Sequence, residues 1–357
     1  MVVTEEPRCE ETPLAALDEW ITPTERYFVR NHLPVPTLRR EEWRLTVDGR
    51  VGLPLTLDFA ALQRLPQRTV VVTTECAGNS RSRDYPPAAG VRWRDGAVGT
   101  AQWTGVSLRD VLAPAGLLED ATELVLEGAD QGLEEDVVGE IRYAMSLPRE
   151  KALDPDTILA LAMNGAPLSP SHGFPVRAIV PGWYGMASVK WITGIHAIAG
   201  SFQGHYRART YVVIPEGEPL DGPKRPVTVL QVKSLITDPA PGTILAPGSH
   251  RVAGVAWSGH APIAHVDVRS EPLGFRGESA WLRATLVGPR APYAWVRWEA
   301  NLQLPTGGYH VLRARATDGA GNVQPVTPSW NFRGVETNSI HAVPVLVRRG
   351  AGPDATD

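Results

Sequence analysis

Cys76 ends the run Val70-Val71-Val72-Thr73-Thr74-Glu75-Cys76 and is followed by Ala77-Gly78-Asn79-Ser80-Arg81-Ser82-Arg83. A cysteine closing an apolar strand, with arginines just beyond it, reads as a thiol in a cationic pocket. Cations favour the thiolate, which is both a nucleophile and a soft metal ligand. The chain has one other cysteine, Cys9, in a polar stretch that reads as a flexible tail. Sulfur chemistry therefore falls to Cys76.

Basic and hydrogen-bonding groups recur in other loops. Arg30, Asn31 and His32 follow Tyr27-Phe28-Val29. His172 and Arg177 flank Gly173-Phe174-Pro175-Val176. Pro181-Gly182-Trp183-Tyr184-Gly185-Met186-Ala187-Ser188-Val189-Lys190 is a glycine-punctuated loop whose backbone N–H groups can approach an anion closely. Tyr206-Arg207-Ala208-Arg209-Thr210-Tyr211 adds arginines and phenols. Each cluster also has an ordinary reading as a capped turn, a structural histidine or a surface ion pair. Gly-Lys-Ser/Thr, Gly-x-Ser-x-Gly, Gly-x-Gly-x-x-Gly and His-Glu-x-x-His are all missing, which removes the common nucleotide-binding, hydrolase and zinc readings. The remainder suits a large anionic cofactor beside a small oxyanion. Two other classes stay open: a cofactor-free thiol enzyme using Cys76 and His172, and a non-catalytic binding protein.

The elements that must position these groups change character along the chain. At 357 residues, two domains are expected at about 150 residues each. A net charge of −4, with 43% hydrophobic and 21% charged residues, gives no reason to expect nucleic acid or an anionic membrane as partner. The first residues show no basic-then-apolar leader, so a reduced, cytoplasmic protein is expected. Residues 1–25 read as a loosely ordered arm and 26–222 as a mixed α and β catalytic domain. In the latter, Asp58 starts a short helix, Ser107 caps another, and Glu123 to Glu127 is a strand running toward Asp130. A Pro- and Gly-rich linker near Pro215 precedes 223–348. There, short alternating segments from Thr228 to Thr317 predict an antiparallel sandwich of immunoglobulin type. Residues 349–357 read as a tail.

Taken in order, these strings resemble the sulfite oxidase family of molybdopterin oxidoreductases. The matching text is Tyr27-Phe28-Val29-Arg30-Asn31-His32-Leu33-Pro34, Cys76-Ala77-Gly78-Asn79-x-Arg81, Gly105-Val106-Ser107-Leu108, Met163-Asn164-Gly165-x-Pro167-Leu168, His172-Gly173-Phe174-Pro175-Val176-Arg177 and Val189-Lys190-Trp191. In the second half it is Val255-Ala256-Trp257-Ser258-Gly259, Asp318-x-x-Gly321-Asn322-Val323-Gln324-Pro325 and Trp330-Asn331-x-Arg333-Gly334. The resemblance runs from about Tyr27 to Val347.

The resemblance implies an α+β fold: a molybdopterin-binding domain followed by an immunoglobulin-like dimerisation domain. It implies molybdenum carried by molybdopterin, with Cys76 as the protein's thiolate ligand. Phe28, Val29, Arg30, Asn31, His32, Asp130, His172, Arg177, Ser188, Val189 and Lys190 would hold the pterin and its phosphate. Arg30, Arg81 and Tyr211 would face the substrate. The implied reaction is oxidation of sulfite to sulfate, with electrons leaving to a separate acceptor such as a c-type cytochrome or oxygen, in a homodimer. Two positions depart from animal and plant members. Ser80 replaces an arginine, and His260-Ala261-Pro262 replaces a Gly-Arg expected to add another substrate arginine. The alternative within the class is a sulfane dehydrogenase-like subunit acting on another small sulfur compound.

Overall fold

Period-two alternation explains the first strands of the computed structural model, which describes residues 1–348 except 136, 275, 276, 278, 305 and 306. In β1 (Arg44–Gly49) Leu45 and Val47 point inward and are fully buried, while Arg44 and Thr46 stay exposed. β1 pairs with β2 (Leu55–Asp58), and α1 (Phe59–Arg64) follows with Asp58 accepting the Ala61 N–H at 2.7 Å, the N-cap expected. β3 (Gln67–Glu75) starts half exposed and ends in four consecutive buried residues, Val72 to Glu75. Such a strand is covered on both sides where it reaches Cys76.

β3 pairs antiparallel with β4 (Val98–Ser107) along its whole length. Further on come β5 (Glu123–Leu133), β6 (Glu140–Pro148), β7 (Ile158–Met163), β8 (Arg177–Ile179) and β9 (Ile192–Ile198). One sheet runs β7-β4-β3, with β8 and the short Ala166–Pro167 strand also on β7; the other runs β2-β1-β9-β5-β6. Only β9 with β1 is a parallel pair among these. Helix is scarce among the described residues: apart from α1, their α-helices are Leu108–Leu112 and Arg149–Ala152. Ser107 stands at the N-cap of the first of these but makes no side-chain cap, and its Oγ is buried without a partner.

Two compact units emerge. The first comprises Met1–Thr12, Ile21–Leu230 and Ser329–Thr337; the second comprises Pro13–Trp20, Gln231–Pro328 and the chain from Asn338. The expected loose arm is therefore ordered. Val2–Thr4 pairs with Cys9–Glu10, Glu10 bridges to Val29, and Cys9 is fully buried. Its sulfur donates to the Asn31 carbonyl at 3.7 Å. Cys9, Glu11 and Thr12 are buried, so strand pairing and burial order a segment whose composition is polar.

The second unit is the expected sandwich. β10 (Lys233–Asp238), β11 (Gly248–Trp257), β12 (Ile263–Pro272), β13 (Thr285–Val287), β14 (Val296–Leu304), β15 (Gly308–Asp318) and β16 (His341–Val347) form two sheets, β10-β11-β14-β13 and β16-β15-β12 with short flanking strands. Val252, Val266, Val268, Trp298, Leu312 and Val343 fill the space between, each side chain contributing roughly 1.5–3 kcal/mol of burial. The strand expected to start at Thr228 begins at Lys233 instead. Among the described residues no helix is long and apolar enough to cross a membrane.

Candidate functional site

β3 delivers Cys76 and a latch holds the turn after it. The Cys76 N–H donates to Ala97 at 2.8 Å, and Asn79 N–H donates back to the Cys76 carbonyl at 2.9 Å. The Asn79 amide donates to Glu75 Oε1 at 3.0 Å and accepts the Ala97 N–H at 3.1 Å. A Cβ at Gly78 would lie 2.5 Å from the Arg81 guanidinium, so a larger residue there displaces that side chain. Cys76 is 7% exposed. Burial pushes its thiol above the usual range, and Arg30, the Gly78 N–H and Arg81 oppose this without overcoming it. The expectation that the surrounding cations alone favour the thiolate is therefore corrected: desolvation is the larger effect. A coordinated metal would remove the thiol proton outright.

A cleft of about 700 Å³ opens beside Cys76. It gathers Phe28 to His32, Asp130, His172, Arg177, Ser188 to Lys190 and Tyr211, each anticipated from the chain text. Arg177 is buried; it donates to the His172 carbonyl at 3.2 Å and the Ser188 carbonyl at 3.1 Å, and lies 4.9 Å over the Trp103 ring. Burial pulls its pKa down to about 10. Lys190 donates to Asn31 Oδ1 and to the Ser171 carbonyl at 3.0 Å, and burial, then Arg177, hold it well below the usual lysine range. His172 Nε2 faces the Thr24 carbonyl at 3.2 Å, so it carries the hydrogen. Burial, then Arg177 and Lys190, lower His172 to about 4.

This donor set fits an anionic pterin. Among the described residues none of Arg30, Arg81, Arg177 or Lys190 makes an ion pair with a carboxylate. Half-buried and buried cations without a counter-ion are costly, and a phosphate would offset that cost. Asp130 is 4% exposed and its Oδ1 has no partner. Burial, opposed by Lys190, pushes it up to about 6. It is placed to accept N–H groups of a heterocycle. Among the described residues no trio of His, Cys, Asp or Glu is set to hold a metal ion, so a metal at Cys76 must bring most of its own ligands.

Arg81 does not line this cleft. It lines a smaller one of about 480 Å³, together with Arg30, His32, Cys76, Tyr211, Trp93 and Arg333. Arg81 donates to Gly334 at 2.9 Å and Val91 at 2.8 Å. Arg333 and Trp93 had not been singled out as site residues. Arg333 belongs to Ser329–Thr337, the segment that rejoins the first unit, and its Nε is buried without a partner. The signal available was Trp330-Asn331-x-Arg333-Gly334. The pocket's third arginine thus comes from Arg333. His260 to Pro262 belong to the second unit, where the His260 N–H donates to Ser258 Oγ at 3.1 Å. Ser80 adopts a left-handed backbone (φ 72) and donates to Asp95 at 2.7 Å, so it is tied to that carboxylate. Tyr211 follows a π-helical turn, Tyr206–Thr210, and its hydroxyl lies 2.6 Å from His32 Nε2.

Comparison with known proteins identifies both halves of the chain. Residues 32–206 match the model of the oxidoreductase molybdopterin binding domain, and 224–348 match that of the Mo-co oxidoreductase dimerisation domain. Sulfite oxidase of Gallus gallus is 37% identical over 95% of this chain and 76% of its own length. Mitochondrial sulfite oxidase of Homo sapiens is 37% identical over 95% of this chain and 64% of its own length, so the chain spans less than two thirds of that relative. The crystal structure of the sulfane dehydrogenase SoxCD from Paracoccus pantotrophus superposes with a TM-score of 0.80 at 31% identity, covering 93% of this chain and 82% of that one. The chain belongs to the sulfite oxidase family of molybdopterin-dependent oxidoreductases.

Proposed function

We propose that the chain oxidises sulfite to sulfate and passes the electrons singly to a separate acceptor. The observation that carries this reading is the small pocket in which Arg30, Arg81, Arg333 and Tyr211 meet Cys76. Its size and its three guanidiniums suit a compact dianion, since arginine binds oxyanions through paired N–H donors. When bound, the molybdenum–pterin group supplies the two-electron oxygen-atom transfer. Cys76 would hold the metal. Arg177, Lys190 and His172 would hold the phosphate, and Asp130 would accept from the pterin. Phe28, Val29, Asn31, Ser188 and Val189 shape the cleft. Arg30, Arg81 and Arg333 bind and orient the substrate, and replace its lost hydration with fixed charge. The acceptor is a c-type cytochrome or oxygen, the working form is a homodimer through the second unit, and the compartment is the cytoplasm.

The likeness to SoxCD favours a second reading, in which another small sulfur compound is the substrate. Steady-state turnover of the cofactor-loaded enzyme with sulfite and with thiosulfate separates them. We expect the larger kcat/KM for sulfite. Losing one arginine, in Arg333→Gln, should raise the sulfite KM about thirtyfold, the equivalent of about 2 kcal/mol for a charged hydrogen bond. Turnover of thiosulfate but not sulfite would sink the first reading.

A further inference from the structure

Next to the substrate pocket, three side chains form a hydrogen-bonded chain in which Glu134 has no role assigned above. Tyr211 Oη is 2.6 Å from His32 Nε2, and His32 Nδ1 is 3.3 Å from Glu134 Oε1. Tyr206 donates to the same carboxylate oxygen at 2.7 Å. Glu134 is the first residue after β5, and its side chain is 21% exposed against 11% for His32. The chain therefore runs from the pocket wall toward solvent.

Its polarity follows from the acceptor at its outer end. Burial alone would raise Glu134, but hydrogen bonds from His32 and Tyr206 outweigh that and hold it below the usual carboxylate range. An ionised carboxylate can only accept, so His32 Nδ1 carries the hydrogen. Burial, then the Arg30 cation, lower His32 to about 3, which keeps the ring neutral. Arg30 Nη2 sits 3.1 Å from Nδ1 and 3.2 Å from Nε2. His205 also disfavours the His32 cation from this side; Tyr143, Tyr206 and Asp130 lie around the cluster, and Cys76, Arg81 and Cys9 act on Tyr211 at its inner end. With Nδ1 occupied, Nε2 is bare and must accept from Tyr211. The Tyr211 oxygen then turns its lone pairs, not its hydrogen, to the pocket.

We propose that Glu134 is a positioning residue: it fixes the His32 tautomer and so makes Tyr211 a hydrogen-bond acceptor toward the reaction site. This rests on the sulfite reading above. Sulfite plus water gives sulfate, two protons and two electrons; the electrons go to the acceptor and the protons to solvent. An acceptor at Tyr211 holds and orients the water that this reaction consumes. The arginines alone then bind the oxyanion.

The test reads the tautomer directly. Protein labelled with ¹⁵N-histidine is compared with Glu134→Ala and with Tyr206→Phe, the His32 signals being identified by their loss in His32→Gln. Wild type and Tyr206→Phe should show protonated Nδ1 and bare Nε2, and Glu134→Ala should move the hydrogen to Nε2. Wild type with bare Nδ1, or Glu134→Ala with the wild-type tautomer, overturns the proposal. In turnover of the loaded enzyme, Glu134→Ala should lower kcat about tenfold, below the usual range for a positioned proton-transfer group, with the sulfite KM within about twofold of wild type. Unchanged kcat, or a loss confined to KM, also overturns it. If the tautomer behaves as expected but wild type does not oxidise sulfite, the substrate reading fails and the assignment of Glu134 stands.

Discussion

Lys190 shows what the site gives up to bind an anion. Its ammonium is held well below the usual lysine range by burial and by Arg177, with Asp130 opposing. In the cofactor-free protein that is a cost, so Lys190→Met should raise stability by about 1 kcal/mol. The same variant should lose cofactor on purification, because the phosphate loses a donor. Chemical denaturation and metal content measured together check both halves. His172 makes the matching case for pH. Its pKa is about 4 in the fold against an ordinary value of 6.5, so between these values the unfolded chain binds the extra proton. Stability of the cofactor-free protein should therefore be full above pH 6.5 and fall as pH drops toward 4, on the order of 3 kcal/mol in all. His172→Gln should flatten that slope in a pH series of melts. These residues were singled out through the family resemblance, because the local text around each left an ordinary structural reading open. The protonation of Cys76 could not be read from the chain: burial outweighs the neighbouring charges, and burial is not written in local text.

At the scale of elements, the Cys76 turn depends on Asn79. Its amide bonds Glu75 and the Ala97 N–H, and these are buried groups with no access to water. Asn79→Ala should cost about 1–3 kcal/mol, as expected when the buried Ala97 N–H loses its acceptor, and lower molybdenum content by shifting Cys76. Denaturation and metal analysis would show it; unchanged values of both would mean the latch is idle. Strands with clear alternation, such as β1, and the Asp58 cap were legible, because period and capping chemistry are local. The Ser107 cap was not realised, since its Oγ stays buried without a partner. Arg333 was harder still. It enters the first unit from far along the chain, through Ser329–Thr337, and no spacing rule links it to Cys76.

At the scale of the molecule, the order of two domains was legible from the change in periodicity near Pro215. The path of the chain was not. Met1–Thr12 and Ser329–Thr337 both join the first unit, and Pro13–Trp20 joins the second. Polar composition suggested a free arm, yet Cys9 is fully buried. The match of 224–348 to a dimerisation domain leads us to expect a homodimer. Light scattering at micromolar concentration should give twice the chain mass, and a monomer would contradict the expectation.

The proposed bond between Cys76 and molybdenum can be measured most directly by X-ray absorption at the molybdenum edge. The loaded wild-type enzyme should show one more sulfur neighbour of the metal than Cys76→Ser does. An equal sulfur count in the two proteins would contradict the ligand assignment.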